Sequence, residues 1–247
     1  NKFFYQGYLR VATKYENLVT IDDKKPAVRW INCIGETSKP LTGGAFNIKE
    51  AIEVVNQIKD LIFIKKYKGT IGVVSPFRLQ VNKIRELIFE DDKLLESLNH
   101  LKFLCDTVHK FQGDERDLMI FSPVVSKNIS IGALAFLKSN GNLFNVAITR
   151  ARSTLIVIGD LPKCLDSGID YLSSFAEYVS KLKIQDEKKE KEINQDYGID
   201  YPSVSNPEQV SDWEKVFYKA LYKKGIKTIP QYNIDKYILD MAIIKNN

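Results

Sequence analysis

The chain has 247 residues, 44% of them hydrophobic and 27% charged, with a formal net charge of +5. That length suits one domain plus a piece of another in an ordinary globular composition, and the mild positive charge permits a polyanionic partner without demanding one. No apolar run approaches the roughly 20 residues needed to cross a bilayer and the N-terminus has no signal-peptide layout, so no membrane partner and a cytoplasmic setting are expected.

Residues 1–20 are aromatic-rich and irregular. After Asp22-Asp23, AVRWINCIG has the apolar content of a buried strand. Gly43-Gly44 breaks the chain before a helical pattern that Asn47 can cap, with Glu50 three residues on as in a capping box. TIGVVS (70–75) is strand-like and PFRLQVNKIRELI (76–88) helical, with Pro76 in a first-turn position. LKFLCDTV (101–108) and LMIFSPVV (118–125) read as further strands, and a helical segment around 142–152 leads into the strand TLIVIGD (154–160). Near-continuous apolar strands separated by helices predict an α/β fold with a parallel sheet covered on both faces. Working residues are then expected in loops beyond the carboxyl ends of the strands.

Residues 181–196 carry five Lys and five acidic residues and read as an exposed helix end or linker. Pro202 and Pro207 bracket a polar connection. Beyond it, SDWEKVFYKALYKKG (211–225) predicts a helix capped by Ser211, stopped by Gly225, with an apolar stripe of Trp213, Phe217, Ala220 and Leu221. Two short strand-like runs, IKTIPQY and KYILDMAII, follow. A helix and two strands are too small to bury a core, so the last domain is expected to be cut short. The divisions are 1–183, a charged linker over 184–207, and 208–247.

Three loops collect chemistry: VVSPFRLQ (73–80), DTVHKFQGDERD (106–117) and NVAITRARSTLIVIGD (145–160). Arg150 and Arg152 offer permanently charged guanidinium groups suited to phosphate oxygens. Gly113 lets the backbone approach a ligand, and Thr107, Gln112 and Glu115 offer hydrogen-bonding ends. Taken singly, each has a plainer reading: a solvated arginine pair, a surface ion pair of Glu115 and Asp117 with Arg116, a turn at Ser75 and Thr107, an ordinary loop histidine at His109. Cys33, Cys105 and Cys164 show no paired spacing and read as free thiols. Three such loops in order on one parallel sheet argue against coincidence.

TVHKFQGDERDLMIFS resembles motif V of superfamily 1 helicases, NVAITRARSTLIVIGD resembles motif VI, and IGVVSPFRLQ resembles motif IV. NKFFYQGYL is similar to the segment after the third helicase motifs, and NIKEA to the helix start before motif IV. The resemblance covers roughly residues 1–160, nearest the branch of the nonsense-decay and Okazaki-processing helicases. It implies a RecA-like three-layer lobe that shares ATP and Mg²⁺ with a first RecA-like lobe of the same parent chain. On that pattern Arg150 is the arginine finger, supported by Arg152. Gln112, Gly113 and Glu115 link nucleotide to strand, with Glu115 near the ribose, and Gln80 lies near the nucleotide. Ser75, Thr107 and His109 face the nucleic-acid backbone. The chain contains no GxxxxGK[ST] loop and no Walker B strand, so alone it is expected not to hydrolyse ATP.

The segment from Ser211 resembles the start of a PD-(D/E)xK nuclease of the very-short-patch-repair type, a truncated α+β restriction-endonuclease-like piece. There Asp240 is the metal-binding aspartate and Glu214 the helix acid, with Mg²⁺ activating a water once the absent ExK strand is supplied. The combined expectation is the second motor lobe of a superfamily 1 helicase on single-stranded nucleic acid, DNA favoured, fused to a nuclease. RNA as the track, a non-motor binding scaffold, and a nuclease for which the motor supplies only specificity stay open.

Overall fold

Five apolar runs lie side by side as a parallel sheet: β1 (Val28–Asn32), β2 (Ile71–Ser75), β3 (Leu104–Thr107), β4 (Arg116–Phe121) and β5 (Ala151–Gly159), in the order β1-β5-β4-β2-β3. The computed structural model describes residues 18–21, 26–40, 44–111, 113–234 and 237–243. The opening segment NKFFYQGYL and Gln112 therefore lie outside the described residues. The chain divides into two units, residues 1–183 and 184–247.

Alternation along the strands builds two cores, because successive side chains point to opposite faces of a sheet. Leu118, Ile120, Ile156 and Ile158 pack with α1 (Ile48–Lys59), α2 (Arg78–Phe89) and α3 (Asp92–Asn99). Met119, Phe121, Leu155 and Val157 pack with α4 (Ile131–Ser139), α5 (Gly141–Thr149) and α7 (Asp170–Asn194), beyond the short α6 (Leu161–Leu165). Both faces are covered, the three-layer α/β arrangement of a RecA-like lobe.

Four local expectations change. Pro76 precedes the N-cap Phe77 and so stands outside α2, where Ser75 Oγ accepts the Phe77 N–H instead. The strand anticipated over 118–125 stops at Phe121, since the Ser122 hydroxyl and Val124 N–H both turn to Glu50. The charged stretch after 181 continues α7 as far as Asn194. Arg150 and Arg152 do not share a helix: the first caps α5 and the second lies in β5.

The second unit consists of a 3₁₀ turn (Pro207–Gln209), α8 (Asp212–Lys223) and an antiparallel hairpin of β6 (Ile229–Ile234) and β7 (Tyr237–Ala242). Ser211 caps α8 in a reciprocal box with Glu214, and Gly225 takes the left-handed conformation (φ 74°) beyond its end. The anticipated stripe is corrected: Trp213 is 81% exposed and Phe217 55%, while Tyr218 is buried. Tyr218 anchors the helix because its hydroxyl donates to Gly198 O (2.9 Å) and its ring meets Tyr201 edge-on.

Candidate functional site

The candidate residues of the first unit sort onto opposite edges of the sheet, which corrects the expectation that all lie beyond the strands' carboxyl ends. Ser75 and Thr107 end β2 and β3. Gly113 and Glu115 instead precede β4, and Arg150 immediately precedes β5. The reason is topological. A short 3₁₀ turn (Val108–Phe111) and the loop through Gly113 carry the chain from the end of one parallel strand to the start of another.

At the amino-terminal edge, Gly113 has φ 81°, a conformation only glycine adopts without strain. Glu115 is exposed. Asp117 is buried, accepts both the N–H (2.8 Å) and hydroxyl (2.7 Å) of Thr70, and holds Arg152 at 3.4 Å. Arg150 is half-buried and one Nη donates to Thr149 Oγ1 (3.2 Å). Its Nε is buried without a hydrogen-bond acceptor, and among the described residues no carboxylate pairs with it. A buried guanidinium donor lacking an acceptor costs free energy, which an incoming anionic oxygen would recover.

At the carboxyl-terminal edge the centre is Asp106, which the sequence did not single out. Burial pushes its carboxyl upward, but the Thr107 N–H and the guanidinium groups of Arg78 and Arg85 outweigh that and hold it below the usual carboxylate range. Arg78 also donates to Thr107 Oγ1 (3.1 Å). Ser75 and Thr107 have buried side chains, whereas His109 is exposed. Two arginines share one carboxylate, so this three-residue cluster keeps a surplus positive charge.

Gln80 is wholly buried. Its carbonyl oxygen accepts the Asn47 N–H (2.8 Å) and its amide donates to Asn47 O (3.2 Å) and Ser122 Oγ (3.0 Å), so it clasps α1 to α2 and presents no surface to a nucleotide. Glu50 does not complete the capping box. Asn47 caps α1 through the N–H groups of Lys49 and Glu50, while the fully buried Glu50 carboxylate accepts from Ser122 Oγ (2.7 Å), Val124 N–H (3.0 Å), Asn47 Nδ2 (3.3 Å) and Ser126 Oγ (3.4 Å). Burial pushes its pKa up to about 7 against those donors. Asn47 and Glu50 were legible as a helix start; nothing local signalled that Ser122, Val124 and Ser126 of the loop after β4 would close on Glu50.

All three cysteines are free, and burial pushes the Cys33 thiol up to about 11 and Cys105 to about 12. In the second unit Asp240 is exposed on β7, and Glu214 Oε2 is engaged by the Ser211 N–H and hydroxyl. Both carboxylates act on the Tyr201 hydroxyl, which burial first and then their charges push upward. Among the described residues no three His, Cys, Asp or Glu side chains cluster to hold a metal, so the residues present do not by themselves fit a Mg²⁺ centre. No helix among the described residues is long and apolar enough to cross a membrane.

Residues 1–162 match the AAA domain family AAA_12. The chain is 34% identical over 164 residues to DNA polymerase alpha-associated DNA helicase A of Saccharomyces cerevisiae, covering 64% of this chain and 22% of that protein. It is 30% identical over 169 residues to helicase sen1 of Schizosaccharomyces pombe, covering 65% and 10%. Against the uncharacterized ATP-dependent helicase MJ0104 of Methanocaldococcus jannaschii it is 33% identical over 175 residues, covering 65% and 24%. The matched region thus spans less than a quarter of each of these relatives.

Proposed function

Because the chain belongs to the AAA domain family AAA_12 and carries a superfamily 1 helicase region, we propose that it is the second motor lobe of an ATP-driven translocase on single-stranded nucleic acid. The observation that carries this reading is Arg150, whose buried Nε has no acceptor. A first lobe of the parent protein holds ATP and Mg²⁺, and Arg150 reaches the γ-phosphate from this lobe as charge develops there. Arg152, braced by Asp117, supports it. Gly113 and the exposed Glu115 flank the nucleotide, Glu115 toward the ribose.

The opposite edge takes the strand. With Ser75 and Thr107 buried, the surfaces offered are Arg78, which Thr107 and Asp106 orient, and the exposed His109. The turn and loop between Thr107 and Arg116 join the two edges, so movement at the nucleotide is felt at the strand. DNA is the favoured track, on the name of the yeast relative and on the nuclease-like reading of the second unit. That unit, with its capped helix and hairpin bearing Asp240, is proposed as PD-(D/E)xK-like.

The test is single-strand-stimulated ATPase of the longer parent protein, wild type beside Arg150→Ala, with DNA and RNA compared. The expected loss is about 10³–10⁵-fold, the range for arginine fingers. An ATPase indifferent to Arg150 sinks the motor reading and leaves a binding scaffold.

A further inference from the structure

An open groove of about 420 Å³ runs along the carboxyl-terminal edge between the Pro76-Phe77-Arg78 turn and the first turns of α4. Its apolar wall is Phe136, 39% exposed, which leans on the buried Phe77 at 5.7 Å between ring centroids. Its rim carries Lys39 and Arg78, both exposed, and among the described residues no carboxylate lines it. Asp106 cannot cancel that charge, since it already serves Arg85 as well as Arg78. At Gly132 the groove is bare: a Cβ there would meet nothing within 4 Å.

We propose that this groove seats one nucleobase of the single strand against Phe136, with the flanking phosphates directed to Lys39 and Arg78. The inference rests on the motor-lobe reading and adds a base-contacting residue to it. A lone aromatic face between cations suits a planar base on a polyanion, because stacking accepts any base while the cations track the backbone. A protein segment would use rows of aliphatic holes, and the groove's large apolar side chains, Pro76, Phe77 and Phe136, include no aliphatic row.

The experiment is anisotropy of a labelled oligo-dT with the full chain. Phe136→Ala is expected to weaken binding by about five- to 150-fold, the range for one stacked base. Gly132→Leu, whose Cβ meets nothing within 4 Å and whose side chain would occupy the groove, is expected to weaken it comparably. Phe136→Trp is expected to keep the affinity and to show indole quenching when oligo-dT is added. Lys39→Ala is expected to lower the salt slope by about one. If the wild type binds no oligonucleotide, the motor-lobe reading and the groove fall together. If the wild type binds, and Phe136→Ala and Gly132→Leu bind equally well with no quenching of the introduced indole, the groove alone is overturned and is left to a protein segment.

Discussion

Glu50 is an acid enclosed entirely by protein, with four donors arranged around its two oxygens. Its pKa in the fold, about 7, lies above the ordinary 4.5. Between those values the folded chain holds a proton that the unfolded chain has released, so stability falls as pH rises from about 4.5 through 7. Denaturant titrations at pH 5 and 7.5 should show this fall in the wild type and a flattened dependence in Glu50→Gln. Equal slopes in the two proteins would refute it. At the same scale, Arg150 was singled out because the family pattern is local in sequence. The burial of Gln80 was not, because its partners Asn47 and Ser122 are 33 and 42 residues away.

The loop after β4 shows what an element owes to its neighbours. Val124 holds φ 63°, a left-handed conformation that a β-branched residue avoids, and its N–H is fixed by Glu50. Pro123 packs against the end of β5, where a Cβ on Gly159 would lie 2.7 Å from the proline ring. The ring cannot rotate away, so Gly159→Ala should displace the loop and cost about 1–3 kcal/mol, as overpacked sites do. A lowered urea midpoint with unchanged far-ultraviolet dichroism is the expected readout, and an unchanged midpoint would remove the constraint. The apolar run 118–125 was read as a single strand because all but Ser122 and Pro123 are apolar. Capture by a distant carboxylate leaves no trace in local periodicity.

For the whole molecule the division near Lys183 falls inside α7, which runs on to Asn194. A chain ending at Asn194 keeps the five-stranded sheet, both cores and the whole helix, and should fold alone. Trp30 is buried in the first unit and Trp213 lies in the second, so the shortened chain has a single buried tryptophan reporter. It should unfold in one cooperative urea transition, at the midpoint that buried-tryptophan emission gives in the full chain. A shortened chain without a transition would refute the independence of the first unit.

The sequence by itself determined the layers, because continuous apolar runs such as Leu118 to Phe121 and Leu155 to Ile158, separated by helical spacing, call for a sheet covered on both faces and are written in neighbouring residues. It also determined the capped helix at Ser211 and the two short strands after it, whose antiparallel pairing the structure supplies. Only the tertiary structure decided that Arg150 and Thr107 stand on opposite edges of one sheet. It alone set Asp106 between two arginines and left Phe136 exposed in a groove while Trp213, not Tyr218, faced solvent. The physical reason is range: propensity and periodicity act over a few residues. Burial, ion pairing and edge placement are fixed by which distant strands become neighbours.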